Sequence, residues 1–363
     1  MTDTNSTIRR HRRGIPTARR VDHVAITVPS LDEAIRMLTD VLGGELVYRL
    51  PPLSRDDDYM AERLDVHPRA TATIAMVRLG LFTNIELFEY TAPDQLRTPP
   101  RPVDAGYQRL GLGVDDVDRA LAALEQHGVR PAGPVWTAPP DHPDAGTRLV
   151  RLHGCAGVNL ELGSAPADRH FGAAVAWSNR DDGLPAATAV PGLRSVDHVG
   201  YTVDDLDVAV AFFVDVIGAE PLSRTGAREP GEHGLPELPA RVRTDRATLR
   251  LGPTDKLELW RFAAGDARRR RPRNSDIGGC HLAIAVDDVD AAAAYLTAVG
   301  GCTQLGAPET LHSGPLTGDR WVYLRSPIGL YLEVVNMPDG ALPYEQTTSA
   351  RRRSAAGFHW WDR

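Results

Sequence analysis

His198, Glu258, His281 and Glu333 are the side chains whose types and spacing best suit a shared metal ion. Each histidine opens a short alternating segment, His198-Val199-Gly200-Tyr201-Thr202-Val203 and His281-Leu282-Ala283-Ile284-Ala285-Val286. Alternation at a period of two describes a strand with one apolar face and one face carrying a histidine followed by small residues. Glu258 lies between Leu257 and Leu259, and Glu333 between Leu332 and Val334, so on strands both acids take the histidines' side. Burying such a carboxylate without a partner is costly and raises its pKa, and a divalent cation offsets that cost. Two neutral imidazoles and two carboxylates suit Zn, Mn, Co, Ni or ferrous Fe, so the expectation is one divalent ion held by all four.

The elements that position these residues recur along the chain. Val21-Asp22-His23-Val24 is echoed by Val196-Asp197-His198-Val199, and Gly113-Val114-Asp115-Asp116-Val117-Asp118 by Ala285-Val286-Asp287-Asp288-Val289-Asp290. Repetition of this kind marks a repeated structural unit. Each half of the chain holds two units of one grammar: a strand, a helix and three further strands. In the third unit Asp204 or Asp205 caps a helix with Leu206, Val210, Phe213 and Val214 on its apolar side, and Gly218 stops it. The fourth unit repeats this with a helix over Val289–Val299, Gly300-Gly301 as its stop, and Pro327-Ile328-Gly329 as the turn between the last two strands. First-half units fall near residues 21–90 and 107–163. They carry His23, Glu86 and Glu161, but Arg109 stands where the second histidine is due. A guanidinium does not replace imidazole as a metal ligand. Arg109 is therefore expected to pair with Glu86 or Glu161 in a metal-free relic, the alternative being contact with an anionic substrate group.

Composition narrows the partners. At 363 residues the chain is long enough for two domains of roughly 150 residues. A formal charge of -7 gives no general attraction to nucleic acid or an anionic membrane. Three cysteines, none in a CxxC pair, fit a cytoplasmic protein with reduced thiols. No apolar run approaches the ~20 residues of a bilayer span. The basic N-terminus is followed by no apolar segment, so it reads as a tail rather than a secretory signal. Arg268 to Arg271 with Arg273 forms a basic cluster best read as an exposed loop. Pro51–Arg69 and Gly226–Ala240 occupy comparable places as loops or lids. Tyr201 and Cys280 belong to the packing side, whereas Trp260 and Tyr331 share the faces of Glu258 and Glu333. Gly357-Phe358-His359-Trp360-Trp361 offers a cap for a pocket or a partner.

The ordered first-strand and last-strand polar residues resemble the vicinal oxygen chelate (VOC) superfamily of glyoxalases, epimerases, fosfomycin-resistance proteins and extradiol dioxygenases. The resemblance covers nearly all of residues 20–340 as four βαβββ modules. It implies an α+β fold in which each pair of modules curls into an incomplete β-barrel around a metal. The domains so implied are a flexible tail over 1–19, a degenerate N-terminal VOC domain over 20–165, a linker over 166–193, a metal-binding VOC domain over 194–340 and a tail over 341–363. Contiguous pairing is expected because the second half holds a complete ligand set and a long linker separates the halves. Pairing of modules one and four would instead complete a site from His23, Glu86, His281 and Glu333, leaving His198 and Glu258 facing Arg109 and Glu161.

What the resemblance implies for function is a metal-dependent epimerase or isomerase. A proton next to a carbonyl of a vicinally oxygenated small metabolite, in the manner of a cyclitol or sugar-like ketone, would move through a metal-stabilised enediolate, with Glu258 and Glu333 exchanging it. The alternatives are an extradiol dioxygenase using His198, His281 and Glu333 on ferrous iron, and a protein that sequesters a ligand without turnover. A homodimer is the expected assembly.

Overall fold

The computed structural model describes residues 14–80, 83–142, 144–165, 188–229, 238, 242–252, 255–263, 271–336 and 343–344. The first thirteen residues, most of the 166–193 linker, most of the second candidate lid, Arg268 to Arg270 and the Gly357–Trp361 segment lie outside the described residues.

Four modules follow one another. The first comprises β1 (Ala18–Thr27), α1 (Leu31–Arg36, running on as a π-helical turn over Met37–Val41), β2 (Glu45–Arg49), α2 (Tyr59–Leu64), β3 (Thr71–Leu79) and β4 (Thr83–Thr91). The second comprises β5 (Gln108–Val114), α3 (Val117–Glu125), the short β6 (Arg130–Pro131) and β7 (Trp136–Thr137), β8 (Arg148–His153) and β9 (Leu160–Ser164). The third runs through β10 (Leu193–Thr202), α4 (Leu206–Ala211, with a π-helical continuation over Phe212–Ile217), β11 (Glu220–Arg228), β12 (Arg243–Leu251) and β13 (Asp255–Ala263). The fourth holds β14 (Cys280–Val286), α5 (Val289–Ala298), β15 (Thr303–Thr310), β16 (Arg320–Arg325) and β17 (Tyr331–Asn336).

Local signals behave as the residues dictate. Ser30, Asp116, Asp205 and Asp288 each cap a helix by accepting a backbone N–H of its first turn. Asp205 rather than Asp204 fills that role in the third module. Gly218 closes the helix in the left-handed region at φ 92°, where a side chain would strain the backbone. The expected apolar faces are all buried in one core: Val24, Ile26 and Val28 of the first module, Leu112 and Val114 of the second, Val199 and Tyr201 of the third, and Leu282, Ile284 and Val286 of the fourth. Against them pack Leu31, Leu124, Leu206 and Leu296 from the helices.

The order of pairing corrects the contiguous arrangement. One sheet runs β15-β16-β17-β14-β1-β4-β3-β2, and the other runs β11-β12-β13-β10-β5-β9-β8-β6 with β7 beside β8. Modules one and four therefore share a sheet, and modules two and three share the other. Neither half of the sequence, 20–165 or 194–340, builds a sheet by itself. Both sheets mix parallel and antiparallel neighbours, and neither closes into a barrel.

Candidate metal centre

At the middle of the first sheet β1 and β14 run antiparallel, with Ala283 opposite His23 and His281 opposite Ala25. The last strands flank them in parallel, Glu86 level with Ala25 and Glu333 level with Ala283. Small residues opposite each histidine leave room for both rings, and the register gives the four residues an approximate two-fold relation: histidines inside, glutamates outside. Their ligand atoms all lie within 4.8 Å of one another, and all four side chains are buried. His23 Nε2 stands 3.1 Å from His281 Nε2, 3.2 Å from Glu86 Oε2 and 3.1 Å from Glu333 Oε2. His281 Nε2 is 3.5 Å from Glu86 Oε2 and 3.3 Å from Glu333 Oε2.

These residues fit a divalent cation on three observations. Among the described residues, Glu333 Oε2 is buried without a hydrogen-bond partner, an atom that a cation would satisfy. Burial would drive the proton off His23, yet Glu86, Asp22 and Glu333 outweigh it and raise the imidazole well above its ordinary pKa. Burial likewise works to raise Glu86, but His23 and His281 hold it below the usual carboxylate range. The cluster thus demands positive charge, which it draws from protons when no ion supplies it. Finally, the Asp22 carboxylate lies 2.8 Å from His23 Nδ1, so a proton held there leaves Nε2 to face inward as a ligand. Asp22→Asn is expected to weaken metal affinity roughly 10- to 100-fold without removing a ligand. Competitive titration against a chelator checks this, and unchanged affinity would contradict the orienting role.

Two tyrosines border the centre. Tyr48 donates its hydroxyl to Glu86 Oε1 at 3.3 Å, and the Tyr323 hydroxyl is 3.3 Å from His281 Nε2. Burial pushes both phenols well above their ordinary pKa, so each keeps its proton. Above them opens a cavity of about 350 Å³, walled by Leu50, Leu53, Ile74, Phe88, Leu316 and Trp321 among others. Pro51, Pro52 and Tyr59 bring the first candidate lid into that wall. No lysine or arginine lines the cavity among the described residues.

The quartet His198, Glu258, His281 and Glu333 is divided between the two sheets, so the expected single ion on all four is corrected: His23 and Glu86 replace His198 and Glu258. In the second sheet His198 lies opposite Gly111, and Arg109 opposite Gly200. The space beside Gly200, expected as pocket, is filled by the Arg109 side chain; a Cβ at Gly111 would collide with the His198 ring. Arg109 Nη2 donates to Glu258 Oε2 at 2.9 Å, and its Nε is 3.7 Å from Glu161 Oε2. Its pairing is thus with Glu258 and Glu161, not Glu86. Trp260 Nε1 also donates to Glu258, and the Arg109 guanidinium sits 4.8 Å from the Trp260 ring centroid. A permanent cation occupies the place of an ion.

Burial would raise the Glu258 pKa, but His198, Arg246 and Arg109 hold it far below the usual range. A depressed folded-state pKa contributes stability that is present above the unfolded value of about 4.3 and lost as pH falls below it. Glu258→Gln removes one carboxylate from two buried guanidinium groups that keep only Glu161 and Asp144 among the described residues, so an expected loss of about 3 kcal/mol at pH 7 should shrink below pH ~4, with metal content unchanged. Denaturant titrations at both pH values check this; an equal loss at each would contradict the charge-based account.

The remaining candidates are structural. The Tyr201 hydroxyl accepts from Gln108 at 3.0 Å, and Tyr331 donates to Asp65 at 2.8 Å. Burial pushes the Cys280 thiol up to about 12, which keeps it protonated. Arg271 pairs with Asp204 and Arg273 with Asp94, each at 2.6 Å. No helix among the described residues is long and apolar enough to cross a membrane.

Similarity to known proteins follows the same lines. The 2-epi-5-epi-valiolone epimerase of Actinomyces sp is 50% identical over 176 residues, 48% of this chain and 94% of that protein. The uncharacterized protein YaeR of Escherichia coli (strain K12) is 30% identical over 144 residues, 39% of this chain and 96% of its own length. Glyoxalase I from Zea mays superposes with a TM-score of 0.57 over 92% of this chain and 97% of its own, at 16% identity, a likeness of fold alone. The model of the Glyoxalase/Bleomycin resistance protein/Dioxygenase superfamily matches residues 22–149 and 197–310, taking in most of both repeats, and the chain belongs to that superfamily.

Proposed function

We propose that the protein is a metal-dependent epimerase or isomerase that moves a proton α to the carbonyl of a neutral, vicinally oxygenated ketone of the cyclitol or sugar-like class. The observation that carries this reading is the placement of two carboxylates, Glu86 and Glu333, on opposite flanks of one histidine pair at the floor of one cavity. His23, Glu86, His281 and Glu333 would hold the ion. A bound divalent cation supplies Lewis acidity, polarising a ketone oxygen and acidifying the neighbouring C–H. Glu333 takes the proton from one face of the substrate carbon. Glu86, with Tyr48 orienting its carboxylate, returns a proton acquired from solvent to the other face, and Glu333 releases the one it took to solvent. Removal from one side and return from the other inverts the centre. The apolar cavity walls keep bulk water from the reacting carbon, while the glutamates exchange their protons with solvent between turnovers.

Two further observations support the substrate class. A cavity that no lysine or arginine lines among the described residues disfavours phosphorylated, coenzyme A or glutathione-linked substrates, which favour cationic docking groups. The 50% identity to a 2-epi-5-epi-valiolone epimerase favours a polyhydroxylated ring ketone. One chain carries all four residues, so the proposed homodimer, in a cytoplasmic setting, is not needed to complete the site.

The test is product NMR in deuterated water with 2-epi-5-epi-valiolone and protein purified anaerobically, alongside metal analysis. Deuterium entering beside the ketone with inversion is the expected result. Stoichiometric oxygen uptake with opening of a catechol ring would instead identify a dioxygenase working through His23, His281 and one glutamate. Tight binding without exchange would identify a sequestering protein.

A further inference from the structure

The four metal-site residues are nearly symmetric, and a symmetric site cannot tell one end of a substrate from the other. Two carboxyls break the symmetry: Asp22 beside His23, where Cys280 precedes His281, and, farther along the wall, Asp319. Asp319 precedes β16, whose Trp321 and Tyr323 alternate into the cavity, and continues that row into the same space. Tyr323 lies opposite Glu333 just as Met76 lies opposite Glu86, so the position matching Asp319 in the first module is Ala72, a methyl group. Hence, among the described residues, Asp319 adds a carboxyl to the cavity at a position where the first module has only a methyl group.

That carboxyl is held rather than free to swing into solvent. Asp319 is only 8% exposed. Its backbone N–H donates to Leu316 at 3.0 Å, and its carbonyl accepts from Leu311 at 2.8 Å, fixing the turn that presents it. Its Oδ1 is buried with no hydrogen-bond partner among the described residues. A buried acceptor without a protein partner favours a ligand that supplies a donor to it. No lysine or arginine lines the cavity among the described residues, so a ligand hydroxyl is a suitable partner for this oxygen.

The geometry points to Asp319 as a substrate-binding residue that hydrogen-bonds a hydroxyl remote from the chelating oxygens and so fixes which face of the substrate Glu333 meets. This rests on the proposed use of the cavity for a metal-chelating ketone. Burial, with Glu333 and Asp22 nearby, pushes the carboxyl well above its ordinary pKa, which suits a neutral acid that both donates to and accepts from a hydroxyl. Asparagine preserves both capacities and alanine neither.

The experiment uses full-length Mn(II)-loaded wild type, Asp319→Asn and Asp319→Ala. Bound Mn(II) is counted by electron paramagnetic resonance, and ligand binding is followed by water-proton relaxation. The probes are 2-epi-5-epi-valiolone and hydroxyacetone, which chelates but lacks a remote hydroxyl. Equal Mn(II) content is expected in all three proteins, with equal hydroxyacetone affinity. Affinity for the cyclitol should fall about tenfold in Asp319→Ala and stay within about threefold in Asp319→Asn. Equal cyclitol affinity in wild type and Asp319→Ala, or equal weakening toward both probes, would overturn the assignment and leave the chelating site standing. Failure of Mn(II)-loaded wild type to bind either probe would overturn the chelating site and the assignment together.

Discussion

His23→Ala is expected to abolish metal binding and turnover, whereas His198→Ala leaves one ion per chain and an active site intact. Binding free energies of roughly 10–16 kcal/mol shared among four ligands put about 3–4 kcal/mol on each, so losing one imidazole weakens affinity several-hundred-fold or more. Among the described residues no further imidazole adjoins the centre: beside His23 lie the other three ligands, Asp22 on its Nδ1 side and the neutral phenols Tyr48 and Tyr323. His198, by contrast, lies in the second sheet near Glu161 and Glu258, where Arg109 supplies the cation. Metal analysis after exhaustive dialysis reads the difference directly. An ion retained by His23→Ala and lost by His198→Ala would reverse the assignment of the two sheets.

Glu86→Gln and Glu333→Gln should each reduce epimerisation by about 10²- to 10⁴-fold, the usual range for removing a positioned acid–base group. The two differ in what survives. If each glutamate serves one face, either variant retains slow exchange of solvent deuterium into one epimer, through the glutamate that remains, while inversion is lost. Glutamine still presents an amide oxygen to the ion, so metal content at saturating concentration should hold. Deuterium wash-in measured separately from each epimer tests this. Equal, small effects of both substitutions would remove the glutamates from proton transfer. Glu258→Gln serves as the control: it should unsettle the fold and leave the exchange rate of folded protein unchanged.

The strands, the helix caps, the buried faces and the matching of histidines with glutamates were all legible in the chain, because each depends on residues close together in sequence. Alternation in His281–Val286 fixes which side His281 takes, and Asp204-Asp205 before Leu206 narrows a helix start to two residues, of which the structure selects Asp205. Asp319 was not legible. It sits at a turn, outside any periodic segment, and gains meaning only from the cavity it enters.

Partner choice among the modules was degenerate by local pattern. Contiguous and crossed pairing each yield one set of two histidines with two glutamates and one set of histidine, arginine and two glutamates. Small residues stand opposite the bulky ones either way. The decision lies in contacts between distant segments. Arg246 donates to Asp144 at 2.8 Å and Arg109 packs on Trp260, joining modules two and three. Tyr59 donates to Glu309 at 3.1 Å and Arg325 to Asp65 at 3.0 Å, joining modules one and four. The sequence by itself therefore pointed to one set of two histidines and two glutamates, a candidate cation site, and one set in which Arg109 replaces a histidine. Only the tertiary structure decided which histidine and which glutamate join His281 and Glu333, because side-chain fit across strands far apart in the chain leaves no local period to read.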